Sequence, residues 1–208
     1  MNVIQRHILT VGFVLAAFAI GATSIVALTE ANTRDKIIEN ERQTLLLAIN
    51  ALVDSSEYNN DILTDIITLP STQLLATKEN TTVYRARKDN IPVAVVFTSI
   101  APNGYSGKIT MLVGVYDSGN LAGVRVIKHK ETPGLGDKID NKKTDWILNF
   151  KGLSLVSPSE SKWTVKKDGG EFDQFTGATI TPRAVITAVK KSLQFFEQNS
   201  DKLFKEAT

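Results

Sequence analysis

The sequence predicts an α+β fold: an N-terminal transmembrane helix followed by one exported domain with a mostly antiparallel sheet and packed helices. Three observations carry this. Residues 8–28 contain no charged side chain. Residues 92–130 hold three β-branched runs separated by tight turns. Near the end, Val185, Val189, Leu193 and Phe196 recur at the spacing of one apolar helix face.

The first element is the span. A helix of residues 8–28 is about 30 Å long, the thickness of bilayer hydrocarbon. Arg6 and His7 precede it, and Glu30, Arg34 and Asp35 follow. Positive flanks favour the cytoplasmic side. Residues 1–7 are therefore expected in the cytoplasm, 8–28 in the bilayer and the remainder exported. A cleaved signal peptide competes with this reading, but its apolar core is usually only about 7–15 residues, which favours an uncleaved anchor. The span carries no ionisable residue to mark an ion path.

Residues 29–70 read as a helical linker region. Ile38, Leu45, Ile49 and Leu52 lie near one face among Lys36, Glu39, Glu41 and Arg42, as in a helix continuing out of the membrane. Ile62, Ile66 and Ile67 mark a short element before Pro70. The main domain is expected over residues 71–208. In it, 81–87 alternates like a strand, and 92–100, 108–116 and 121–130 are stronger strands. The loop 103–107 and the turn 117–120 imply antiparallel pairing. Residues 144–150 read as a short helix with Asp145 near its start, 161–167 as a short strand and 168–170 as a turn. Thr181 is the expected N-cap of the last helix, Pro182 its first helical residue and Gln198 its approximate end.

Composition removes several function classes. The 208 residues carry a net charge of +2, and no basic cluster interleaves with aromatics, so no nucleic-acid partner is expected. There is no cysteine, which excludes disulfides, cysteine-ligated zinc, cysteine-ligated iron–sulfur clusters and thiol catalysis. The two histidines, His7 and His129, do not make a metal site. No paired carboxylates or Ser/His/Asp set stand at useful spacing, so no catalytic residue and no metal ligand is assigned. Any redox chemistry would rest on an organic cofactor.

Two stretches remain. Glu131-Thr132-Pro133-Gly134-Leu135-Gly136-Asp137 resists regular structure and lets backbone approach a flat or anionic ligand; it also suits a plain connector. Asp173-Gln174-Phe175-Thr176-Gly177-Ala178-Thr179-Ile180-Thr181 runs into the last helix. A helix N-terminus offers unpaired N–H groups and a partial positive charge, a ready place for phosphate, and Arg183 would add a cation. The same residues also make an ordinary capped helix.

Together with the anchor, these two stretches resemble the FMN-binding domain family. Within it they are similar to the G subunits of Rnf/Rsx ion-translocating electron-transport complexes. The resemblance covers nearly the whole chain, including Gly104-Tyr105-Ser106-Gly107-Lys108 and Asp145-Trp146-Ile147. The related C subunits of sodium-pumping quinone reductases share both motifs on a longer chain. The resemblance implies FMN joined through its phosphate to the hydroxyl of Thr179. Thr176, Gly177 and Ala178 would complete the recognition motif, with Asp173 as its acidic residue and Thr181 beside it. Glu131, Thr132, Pro133, Gly134, Leu135 and Gly136 would lie against the flavin ring. It further implies a separate flavin transferase for maturation, other membrane subunits of an Rnf-type complex as partners, and a single-pass protein of the bacterial inner membrane with a periplasmic domain. An unactivated threonine is a poor nucleophile, which agrees with a helper enzyme. Two other readings stand beside this one: a single-span protein that binds a ligand or partner without redox work, and a free-standing membrane-anchored flavin reductase.

Overall fold

The computed structural model describes residues 2–205, and the chain divides into two compact units, residues 1–45 and residues 46 onward. Helix α1, Val3–Asn50, runs unbroken through the first unit and ends in the second. Its threonines do not interrupt it. Thr10, Thr29, Thr33 and Thr44 each donate a side-chain hydrogen bond to the carbonyl four residues back, which satisfies the hydroxyl within the helix. Among the described residues, α1 is the one helix long and apolar enough to cross a membrane. Large apolar side chains along it, such as Phe13 and Phe18, are exposed.

The second unit departs from the linker reading. The helix stops at Asn50, residues 51–65 form turns, and Ile66–Leu69 is a strand, β1. Of the apolar face expected along the linker, Ile49 and Leu52 are buried while Ile38 is exposed. Four more strands follow: β2 Thr81–Lys88, β3 Ile91–Gly104, β4 Gly107–Tyr116 and β5 Leu121–Lys128. They pair as an antiparallel meander in chain order. Alternation accounts for this. Ile109, Met111, Val113 and Val115 of β4 all enter the main core, because successive side chains point to opposite faces. On the other face, Leu52 packs where Gly114 and Gly123 leave room; a Cβ on either glycine would approach Leu52 to 3.3 and 3.1 Å.

The final helix, α2, spans Ile180–Phe204. It lays Val185, Ile186, Val189, Leu193 and Phe196 into the core against the inner sheet face. Phe195 meets Phe97 of β3 edge to face at 5.2 Å, a favoured aromatic geometry. The buried hydroxyl of Ser192 donates to Ser99 on β3 at 2.8 Å, a polar contact inside an otherwise apolar interface. The helix outruns the expected end at Gln198, and the reason lies at its C-terminus. Arg85 and Arg87 of β2, both buried, donate to the carbonyls of Lys205 and Phe204 at 2.6 and 2.9 Å. Helix ends leave carbonyls without intrahelical partners, and these guanidinium groups supply them. Asp65 pairs with both arginines.

The expected strand at 161–167 is absent. Glu160–Lys162 and Lys166–Asp168 are short 3-10 turns, and Val165 makes a lone bridge to Phe172. Trp163 and Val165 are buried with Thr164 between them, so the alternation was real. The chain turns at Gly169, whose φ is +84°, before a ladder can form. Residues 145–150 are helical as expected, in 3-10 form, with Thr144 accepting from Trp146 N–H as the cap.

Tyr116, at the end of β4, donates to Glu57 at 3.2 Å. Burial, that bond and the charges of Glu57 and Asp54 push its phenol up to about 12. The protonated form is thus favoured by folding. Its contribution is present below the ordinary tyrosine pKa of about 10 and is lost as pH rises through about 12. Burial also raises Tyr58 and Tyr84, so a tyrosinate absorbance titration is expected to lose its latest-titrating phenol in Tyr116→Phe; an unchanged titration in that variant would contradict the assignment.

Candidate functional site

The site is built where three segments meet at one end of the sheet: the β3–β4 hairpin, the loop after β5 and the first turn of α2. An aromatic cluster supports the turn before α2. Trp146 sits edge to face on Phe175 at 5.1 Å and on Phe150 at 5.3 Å, and Phe150 stacks on Phe172 at 4.9 Å. Trp146 Nε1 donates to the carbonyl of Asp173 at 2.8 Å, which satisfies the one polar atom of a mostly buried indole. From Phe175 the chain reverses in a tight turn closed by Ala178 N–H to Phe175 carbonyl at 3.1 Å. Gly177 takes φ +80° there, a conformation that favours glycine.

Helix α2 then begins earlier than its pattern implied. Thr179 is the N-cap residue rather than Thr181, and Pro182 is the third helical residue rather than the first. A proline is tolerated there because the first four N–H groups of a helix lack intrahelical acceptors in any case. The first backbone bond of the helix runs from Arg183 N–H to Thr179 carbonyl at 3.4 Å, so the N–H groups of Ile180 and Thr181 precede the ladder. The Thr179 side chain makes no capping bond, and the residue is only half-buried. The hydroxyl of Thr181 goes elsewhere. Fully buried, it donates to Glu131 Oε2.

A cavity of about 290 Å³ opens between these segments. It is lined by Glu131, Thr132, Leu135 and Gly136 of the loop, by residues 177–181 of the turn and helix start, and by Tyr105 of the hairpin. The structure therefore brings both sequence stretches to one place, although more than forty residues separate them. Ligand cavities begin at about 300 Å³, so this one has room for one end of a flat or anionic ligand rather than for a large one whole. Small or backbone surfaces at Gly136, Gly177 and Ala178, with apolar Leu135 and Ile180, suit a flat aromatic group beside a phosphate at a helix start.

Other residues singled out in the sequence stand apart. Thr176, Pro133 and Gly134 are exposed and do not line the cavity. Asp173 is exposed and pairs with Lys166 Nζ at 2.7 Å; that hydrogen bond and charge hold the Lys166 ammonium above its usual range. The structure also corrects the role expected of Arg183. Its guanidinium grips Asp168 with two bonds, 2.7 and 2.8 Å, a geometry that arginine forms readily with carboxylates. Arg183 lines a different cleft, with Gln73 and Leu74. Tyr105, Ser106 and Ile180 were not singled out as site residues. The glycines of Gly104-Tyr105-Ser106-Gly107 were the available signal, since they mark a hairpin end close to other backbone.

The FMN-binding domain family matches residues 104–194, and the RnfG N-terminal region matches residues 1–52. The chain is similar to the G subunit of the ion-translocating oxidoreductase complex of Pseudoalteromonas atlantica, at 45% identity over 93% of this chain and 90% of that one. The protein of the same name from Vibrio cholerae is 43% identical over 92% of this chain and 91% of its own. That of Shewanella baltica is 42% identical over 93% and 91%.

Proposed function

The chain belongs to the family of G subunits of ion-translocating oxidoreductase complexes, and we infer that within such a complex it carries electrons on an FMN held at Thr179 by a phosphoester bond. The observation that carries this is the single cavity shared by the 131–136 loop and the 177–181 turn, with Thr179 at the head of α2. Three threonines lie close in sequence, but they differ in place. Thr176 is exposed outside the cavity, Thr181 is buried and bonded to Glu131, and Thr179 lines the cavity with its hydroxyl uncommitted to the cap.

When bound, FMN would supply the electron-carrying chemistry. The chain's own residues do the holding. The start of α2 offers N–H groups and the positive end of its dipole to a phosphodiester, in the absence of Arg183. Leu135, Tyr105 and Ile180 offer apolar surface to a ring. In maturation by a flavin transferase, Thr179 Oγ1 would gain the bond to phosphorus and lose its proton, and AMP would leave from FAD.

The same reading places α1 across the bacterial inner membrane once, with the N-terminus cytoplasmic and the main domain periplasmic. Its support is the uncharged stretch within α1 and the cation Arg6 before it. The partners are the bilayer, the other membrane subunits of an Rnf-type complex and the transferase.

Mass mapping tests the linkage. The full chain is co-expressed with an active flavin transferase and digested with trypsin. Peptide 168–183 contains Thr176, Thr179 and Thr181 and is expected to carry the added mass of FMN, with fragment ions placing it on Thr179. An adduct on Thr176 or Thr181, or no adduct, would overturn the assignment.

A further inference from the structure

We propose that Glu131 is a positioning residue whose buried carboxylate clasps the first turn of α2 to the β3–β4 hairpin and sets a negative charge in the wall of the flavin cavity. The proposal rests on the reading that FMN occupies that cavity.

Glu131 is only 4% exposed, yet it lies in a surface loop. Its two carboxylate oxygens serve different segments. Oε1 accepts from Ser106 N–H in the hairpin at 3.0 Å, and Oε2 accepts from the Thr181 hydroxyl on α2. Its backbone N–H donates to His129 Nδ1 at 3.1 Å, which steadies the loop behind it. Ser106 contributes an N–H, which can only donate, and Thr181 donates its hydroxyl. In this arrangement Glu131 accepts at both of its oxygens, as an ionised carboxylate does; an amide offers only one oxygen in the same place.

The surrounding backbone is shaped to this group. A Cβ on Gly136 would stand 2.6 Å from Glu131 Oε2 and 2.8 Å from Thr181 Oγ1. A Cβ on Gly104 would stand 2.8 Å from Glu131 Oε1. Side chains at either position would collide, so the two glycines let the chain close over the carboxylate from both sides. The resemblance alone placed Glu131 against the ring with the rest of its loop. The geometry instead turns its oxygens to Ser106 and Thr181, and makes it the residue through which the loop, the hairpin and the Thr179 turn keep their spacing. A charge in a water-poor wall acts strongly on its neighbours. A negative one opposes the arrival of electrons on an adjacent flavin.

The experiment uses the full chain matured by its transferase and purified in detergent. Glu131→Gln keeps the size but loses the charge and one of the two acceptor oxygens. Its flavin midpoint potential is expected to move to more positive values. Thr181→Val keeps the charge but breaks the clasp, and is expected to lower covalent flavin loading; Thr181→Ser should restore it. Because the two positions share one bond, loading in the Glu131→Gln/Thr181→Val double variant should be no lower than in the worse single variant. A wild-type potential in Glu131→Gln, or losses of loading that multiply in the double variant, would overturn the role of Glu131 while leaving the FMN reading intact. A matured wild type without flavin would overturn both. Melting temperatures recorded alongside separate these effects from misfolding, and Glu131→Gln and Thr181→Ser are close enough in shape to fold.

Discussion

Thr179→Ala is expected to remove covalent flavin completely while leaving the protein folded. Replacing an N-cap threonine ordinarily costs about 1 kcal/mol because the side chain caps a backbone N–H. Here the Thr179 side chain makes no such bond, and its backbone is already in the helical region at φ −75° and ψ −25°. The change should therefore shift the melting temperature by less than an ordinary cap loss does. Denatured gels viewed under ultraviolet light should show a fluorescent band in wild type and none in Thr179→Ala. Thr179→Ser keeps a hydroxyl and should retain some fluorescence. Thr176→Ala makes a useful contrast: Thr176 is exposed and off the cavity lining, so any loss there would reflect recognition by the transferase rather than loss of the acceptor. Fluorescence that survives in Thr179→Ala would sink the assignment. A large drop in melting temperature would show that Thr179 has a structural role that the geometry does not reveal.

Asp65→Ala should produce the largest loss of stability. Asp65 answers both buried arginines, with Oδ1 on Arg85 and Oδ2 on Arg87 Nε at 3.0 Å, and it also accepts from Asn60 at 3.0 Å. Arg85 and Arg87 are 5% and 8% exposed. Removing one partner of a buried pair leaves charge uncompensated and costs about 3–5 kcal/mol; the Asp65 side chain is 21% exposed, which puts its loss at the lower end of that range. In a chain of this size that corresponds to a melting shift on the order of 10 °C. The damage should be felt first at the C-terminal end of α2, since the same guanidinium groups hold the carbonyls of Phe204 and Lys205. Hydrogen exchange over residues 195–205 would report it. An Asp65→Ala protein that melts within about 1 kcal/mol of wild type would show that water reaches these arginines. Asp65→Asn keeps the shape and one acceptor oxygen, and should fall between the two.

Local residue chemistry was enough for most of the fold. An uncharged stretch can span lipid only as a helix, because each backbone polar group must be satisfied within it. The stretch 81–87 alternates and the three runs after it are rich in β-branched and apolar residues, and the short turns between them leave antiparallel pairing as the economical arrangement. Val185, Val189, Leu193 and Phe196 repeat at the helical period, so α2 and its buried face followed. Errors came where a local pattern lacked a partner. Trp163 and Val165 alternate like a strand, but the chain turns at Gly169 before a neighbour can pair. Thr181-Pro182 looks like a helix start, but the Thr181 hydroxyl is taken by a carboxylate fifty residues away.

By itself the sequence determined the anchor, the antiparallel domain and the two stretches that carry the family resemblance. Each of these depends on residue type and on spacing within a few turns of chain. Only the tertiary structure decided that the two stretches share one cavity, that Arg183 belongs to Asp168 and that Glu131 faces inward. Those facts depend on contacts between residues far apart in the chain. A carboxylate, a guanidinium and a hydroxyl each have several possible partners, and the packed backbone, closed over Gly104 and Gly136, selects among them.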